Sequence, residues 1–418
     1  MKLLLIRNTY QQNGGEDQLV RAEKNMFISG GHAVIEYRRD SNELLGVGIL
    51  QQIRVGLEAS WSPRSYGEVS RLIQKERPDL AIVYNFVPLI SPSVVYACKR
   101  EGVPVLLNTQ NYRLICAAGT LSRDGRPCEE CLDFGAGRAI RYGCYRKSPL
   151  ASAALAAMQK LHRAAHTWTG AVDGLMAPTE FLRQKLISGG LRAEKIHLKP
   201  NFLHPDPGVS IGRRDFALFA GRLSQEKGLR TLLQAWQLID RRIPLRIVGD
   251  GPLRRELESF AESAGLNNVR FLGLQSHEQV LELLKQARLA VFPTQCYEGF
   301  PLGLVEAFAC ATPLIASRLG AVRELIEDGR TGFLFPTGSP EHLAERVATL
   351  WNRIEELRAV GNRTRAEYLG KYTLEQNLLR FHEIAKKICG CTTERISPAK
   401  EAIPRGATQA SPAGISTP

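Results

Sequence analysis

The stretch Phe216-Ala217-Leu218-Phe219-Ala220-Gly221-Arg222-Leu223-Ser224-Gln225-Glu226-Lys227-Gly228-Leu229 decides the architecture. Its apolar run reads as a buried strand. The loop that follows runs into a segment where Leu229, Leu232, Leu233 and Trp236 recur at helical spacing. A strand that ends in glycine and opens a helix is half of a βαβ unit, so a parallel sheet is predicted. In open sheets of that kind ligands sit beyond the carboxyl ends of the strands, which is where Arg222 and Lys227 fall. Arg222 offers a planar fork suited to a diphosphate and Lys227 a compact point charge. Taken alone, the loop reads as a solvated surface turn.

The same alternation extends both ways. Residues 3–7, 33–37, 80–84, 103–108 and 174–177 form one series of short β-rich runs, and 216–220, 245–248, 269–272, 289–292 and 314–316 a second. The Pro- and Gly-rich segment His204-Pro205-Asp206-Pro207-Gly208 separates them, so the sequence predicts an α/β protein of two doubly wound domains, with residues 200–207 as a hinge. Residues 392–418 are too poor in large apolar side chains to repay the entropy of ordering, and read as a disordered tail.

Composition narrows the classes. With 418 residues, 44% apolar and 23% charged, the chain is neither fibrous nor wholly disordered. Nine cysteines are sparse and odd in number, which fits a reduced, cytoplasmic protein better than a disulfide scaffold. The first apolar run ends at Arg7, too early for a secretory signal, and no window reaches the ~18 apolar residues of a membrane span. The net charge is +13, of which +9 falls in residues 1–200. That asymmetry suggests an acidic partner, either an anionic membrane surface at the inner face of the cell membrane or a phosphorylated substrate. No motif points to nucleic acid.

The strongest chemistry lies in Phe292-Pro293-Thr294 and Glu298-Gly299-Phe300-Pro301-Leu302-Gly303-Leu304-Val305-Glu306. Pro301 suits the first turn of a helix, so Gly299 and Phe300 present free N–H groups at a positive helix end. Glu298 and Glu306 flank that turn. A carboxylate beside a phosphate is costly, so each Glu is expected to accept hydrogen bonds from sugar hydroxyls. Gly249-Asp250-Gly251-Pro252 opens another helix without the full dinucleotide pattern.

Together with Asn13-Gly14-Gly15-Glu16, Pro178-Thr179-Glu180-Phe181-Leu182, Lys199-Pro200-Asn201-Phe202, Ala220-Gly221-Arg222-Leu223, Val248-Gly249-Asp250-Gly251-Pro252 and Phe271-Leu272-Gly273, that segment resembles the retaining, nucleotide-sugar-dependent glycosyltransferases of family four, over residues 1–387. The resemblance implies the GT-B architecture, two facing Rossmann-like domains with a cleft between them. The acceptor side would be 1–200 and the donor side 201–370, and a carboxyl-terminal helix at 371–391 would return to the first domain. It implies that Arg222 and Lys227 hold the diphosphate and stabilise its departure, and that Glu298 orients the donor sugar with the backbone of Gly299, Phe300, Pro301 and Leu302. Glu306 would bind the ribose, Leu272 and Gly273 the base, and Gly14 and Gly15 would let backbone approach the diphosphate. The donor would be a UDP- or GDP-sugar, with no metal required for catalysis. The acceptor would be a glycan or lipid-linked molecule, in bacterial surface polysaccharide assembly.

The pattern departs from the family on the acceptor side. Gln110, beside Asn111, stands where relatives carry a His, and Ile82 and Tyr84 occupy a strand where His is also usual. Gln can position a hydroxyl but cannot take its proton, which leaves the departing diphosphate to receive it. His32 and His277 read as ordinary surface residues. Two other readings use the same architecture: a nucleotide-sugar-binding protein that has lost transfer, and a phosphorylase or epimerase. Cys116, Cys128, Cys131 and Cys144, in an insertion over 116–144, suit either a structural zinc or four reduced thiols. The cations at 138–147 read as a basic mouth for the acceptor. The helix at 151–168 reads as an ordinary, partly exposed one that could rest on headgroups.

Overall fold

The computed structural model describes residues 1–9, 15–44, 55–209 and 215–390. The expected tail at 392–418 lies outside the described residues, as does Gly14. The amino-terminal domain holds β1 (Lys2–Thr9), β2 (Ala33–Asp40), β3 (Leu80–Val83) and β4 (Val105–Asn108), then a hairpin of β5 (Ser122–Arg123) and β6 (Arg126–Pro127), then β7 (Gly174–Ala177) and β8 (Ile196–Leu198). The second domain holds β9 (Ala217–Ala220), β10 (Leu245–Val248), β11 (Val269–Gly273), β12 (Leu289–Phe292), β13 (Leu314–Ser317) and β14 (Phe333–Phe335). Apart from the hairpin, the strands form two six-stranded parallel sheets, ordered β2-β1-β3-β4-β7-β8 and β11-β10-β9-β12-β13-β14. Sequence reading passes over β8, β14 and the hairpin.

Both sheets are covered on both faces, as parallel sheets must be. In β1, Leu4 and Ile6 pack into one apolar layer, while Leu3 and Leu5 pack into another with Phe381, Ile384 and Ala385 of the Leu374–Cys389 helix. The carboxyl-terminal helix thus closes one face of the amino-terminal sheet. Strand period two makes the same division in β9, where Ala217 and Phe219 face one layer and Leu218 the other. Helix starts are set locally: Ser62, Ser148 and Ser339 each accept a backbone N–H at an N-cap followed by proline. The crossing between domains is pinned, since Asp206 accepts both arms of the Arg365 fork and Tyr368 donates to the Leu203 carbonyl.

His32 is not a surface residue. It is 5% exposed, and its Nε2 lies 2.8 Å from Nε2 of His382 on the closing helix. Burial, above all, pushes its pKa down to about 4.

Candidate active site

The order of the carboxyl-terminal sheet reverses between β9 and β12, and the loops after these two strands meet there. Gly228, with φ of 71°, makes the meeting feasible, because a Cβ there would lie 1.9 Å from the Pro293 carbonyl oxygen. The Gln295 N–H and the Thr294 hydroxyl both donate to the Glu226 carbonyl, tying one loop to the other.

Lys227 Nζ lies 2.7 Å from Glu298 Oε1, and Thr294 donates to the same oxygen at 3.2 Å. Burial pulls the Lys227 pKa down, but Glu298, with smaller help from Cys296 and Glu226, outweighs it and holds the ammonium above the usual lysine range. Arg222 is exposed and has no ion-pair partner among the described residues. One cation is therefore held and one is open.

Pro301 stands at the N-cap of the Leu302–Ala309 helix, one residue before the expected first turn, because its ψ of 91° is extended. Glu306 sits inside that helix and accepts from His277 Nε2 at 2.8 Å. His277 is the first residue of the His277–Gln286 helix, which Ser276 caps. It lies at the surface, as expected, but is paired there: the Glu306 hydrogen bond raises its pKa against burial, which lowers it. Leu272 and Gly273 end β11, where the Gly273 carbonyl accepts the Gly249 N–H.

The amino-terminal domain meets these loops. A Cβ on Gly299 would lie 2.4 Å from the Gln110 carbonyl oxygen, so only glycine lets the two backbones approach this closely. Tyr112 donates to the Glu298 carbonyl and Thr179 to that of Gly299. Glu324 accepts the N–H groups of Glu180 and Phe181 at 2.8 and 2.6 Å, capping from the second domain a helix of the first. From the insertion, Glu129 Oε1 accepts from the Tyr297 hydroxyl at 2.8 Å and from Lys185 at 2.6 Å. Burial and Glu129 push Tyr297 up to about 12. None of Glu129, Lys185, Tyr297 or Glu324 carries a sequence signal of its own.

Gln110 is fixed from both sides: it donates to Asn108 Oδ1 at 2.6 Å and accepts from Asn201 at 2.8 Å. Asn108 in turn donates to Glu23, which also accepts from Tyr84 at 2.6 Å and pairs with Lys199. Asn111 is turned to its own loop, accepting the Arg113 N–H. Gly15 opens the Gly15–Ser29 helix after β1.

The four cysteines admit two sequence readings, a structural zinc or reduced thiols, and stand here as thiols. Among the described residues, no three His, Cys, Asp or Glu side chains are disposed to ligate one metal ion. Cys116, Cys128, Cys131 and Cys144 are free thiols, and burial together with the neighbouring thiols pushes Cys131 up to about 11. Two spacers of eleven and twelve residues let the backbone place them near one another without fixing tetrahedral geometry.

The sequence model of the family described as Glycosyl transferases group 1 matches residues 205–367. An uncharacterized glycosyltransferase of Methanocaldococcus jannaschii is 30% identical over 177 residues, 42% of this chain and 49% of that one. The D-rhamnosyltransferase WbpZ of Pseudomonas aeruginosa is 34% identical over 160 residues, 38% of this chain and 42% of that one. The chain thus spans less than half the length of these curated relatives. Among solved structures, Anabaena HepE in complex with UDP has a TM-score of 0.64 at 17% identity, over 92% of this chain and 99% of that one, a likeness of fold. Residues 205–367 thus match the group 1 glycosyltransferase model, and the two facing doubly wound domains give the whole chain the GT-B fold.

Proposed function

We propose that the chain transfers a sugar, with retained anomeric configuration, from a UDP- or GDP-sugar to a glycan or lipid-linked acceptor in surface polysaccharide assembly. The carrying observation is the loop pair after β9 and β12, which the Lys227–Glu298 ion pair joins and on the first of which Arg222 stands exposed. WbpZ is named as a D-rhamnosyltransferase and HepE was solved with UDP, which supports a nucleotide-sugar donor here.

In this reading the bond from the anomeric carbon to the diphosphate oxygen breaks, and a bond to the acceptor hydroxyl oxygen forms on the same face. Negative charge grows on the leaving diphosphate, and two preorganised cations stabilise it most where it is greatest. Lys227 is delivered by Glu298, which then orients sugar hydroxyls. Glu306 receives the ribose hydroxyls. Gln110, locked between Asn108 and Asn201, positions the acceptor hydroxyl, and the departing diphosphate takes its proton.

A calorimetric panel of nucleoside diphosphates tests the donor half. UDP or GDP is expected to bind, and Arg222→Ala to weaken that binding at least tenfold with the melting temperature of the free protein unchanged. Absence of binding by every nucleotide would refute the reading.

A further inference from the structure

From Phe134 to Val172 the sequence carries Arg138, Arg141, Arg146, Lys147, Lys160 and Arg163 and no Asp or Glu, in a chain with 42 acidic residues out of 418. Of these cations only Arg138 reaches a carboxylate among the described residues, Glu130 at 3.9 Å. The same stretch is unusually apolar on its outside. Phe134 is 66% exposed, Leu150 70% and Leu161 51%.

Their arrangement is ordered by the Pro149–Ala164 helix. At about 100° per residue, Leu150, Ala154, Ala157, Leu161 and Ala164 fall in a stripe roughly 80° wide. The opposite face buries Leu155, Met158 and His162 in the domain. An ordinary surface helix has one apolar face; this one has a second, turned outward, with Lys160 on its flank. The surface continues through the helix Gly137–Arg141, which packs on the longer helix and on Glu130–Phe134. There Arg138 lies over the Phe134 ring at 4.7 Å and Arg141 over Tyr142 at 5.7 Å.

Such a face has two unmet demands: apolar area to remove from water, and positive charge in excess of the one carboxylate, Glu130, that pairs with it. A bilayer interface containing anionic lipid meets both at once over a broad area. We propose that the face built by residues 134–164 docks on an anionic membrane surface, with Leu150, Leu161 and Phe134 entering the boundary between headgroups and acyl chains and the Arg and Lys side chains on lipid phosphates. Docking would bring the cleft close to the bilayer, because the insertion that feeds this face also reaches the cleft through Glu129.

Sedimentation of the full chain with vesicles tests this. Binding is expected to vesicles of phosphatidylcholine mixed with phosphatidylglycerol, weakening as salt rises, and not to pure phosphatidylcholine. Arg141→Gln/Arg146→Gln/Lys147→Gln should weaken it on the order of a hundredfold, and Leu150→Ser/Leu161→Ser about tenfold. All five side chains are exposed, so an unchanged melting temperature verifies folding. Equal binding to both vesicles, or to neither, overturns the proposal. So does a self-association in ultracentrifugation that Leu150→Ser/Leu161→Ser abolishes, which would assign the face to a second copy of the chain.

Discussion

The two domains share layers and strand direction, yet they handle charge at the cleft in opposite ways. In the carboxyl-terminal domain the Lys227–Glu298 pair keeps 31% and 20% of its side chains exposed. In the amino-terminal domain Lys199 and Glu23 keep 1% and 0%. The sheet orders explain where each pair stands. The first reverses between β1 and β3 and the second between β9 and β12, so each domain opens a crevice toward the other. One crevice presents charges that can exchange partners. The other keeps the Lys199–Glu23 pair behind its wall, with the Gln110 amide in front of it. A partly exposed ion pair suits a ligand whose charge changes during reaction, whereas a buried pair suits a rigid backdrop.

Breaking the rigid side should cost most. Lys199→Met leaves Glu23 buried without its countercharge and is expected to lower unfolding free energy by about 4 kcal/mol, read by chemical denaturation. Adding Glu23→Gln should recover much of that loss, and a double variant as unstable as the single would mean that the pair is not the reason. On the open side, Glu298→Gln should leave the melting temperature nearly unchanged while transfer falls about a hundredfold to a thousandfold, followed by nucleotide release. Full activity would remove Glu298 from the mechanism.

The same contrast governs what the sequence discloses. Strands β7, β10 and β12 are legible because short, largely apolar runs bounded by turn signals have one reading, and Arg222, Lys227 and Glu298 because each adjoins a glycine of the loop after β9 or β12. β8 and β14 are three residues each and carry no periodicity. Glu23 sits in an amphipathic helix, where one Glu looks like any solvated face residue, and its partners lie 61, 85 and 176 residues away. Glu129 and Tyr297 are 168 residues apart. Pairings at such range are fixed by the docking of domains, and no local pattern announces them. The cysteines show the converse: a spacing that suits a metal does not by itself choose between a ligand sphere and four thiols.

Glu129 sharpens the comparison, since it carries the amino-terminal domain's grip into the loop that bears Glu298. Tyr297 directly precedes Glu298, and its ring lies 4.8 Å from Phe181 with Lys185 at 5.4 Å from both rings. Glu129→Gln weakens the hold on Lys185 and Tyr297 while keeping the volume. We expect kcat to fall about tenfold, the worth of one charge-assisted hydrogen bond, with nucleotide affinity unaltered. A parallel loss of nucleotide affinity would show that the contact only holds the fold.

The smallest effect concerns His277. Glu306 raises its pKa above the ordinary 6.5, so the protonated imidazole engages Glu306 fully below pH 6.5 and lets go as pH rises through the raised value. The pair's contribution to stability follows the same course, present in acid and lost toward alkaline pH. Once His277 is neutral, the Glu306 carboxylate is freer to accept ribose hydroxyls, and nucleotide affinity should therefore climb with pH from 6.5 upward. A half-exposed pair of this kind is worth less than about 1 kcal/mol, so the rise should stay within about fivefold. In His277→Ala that part of the pH dependence should vanish, leaving only the titration of the nucleotide's own phosphate. Identical profiles for the two proteins would mean that ribose does not compete for Glu306, and would move the nucleotide away from the end of β11.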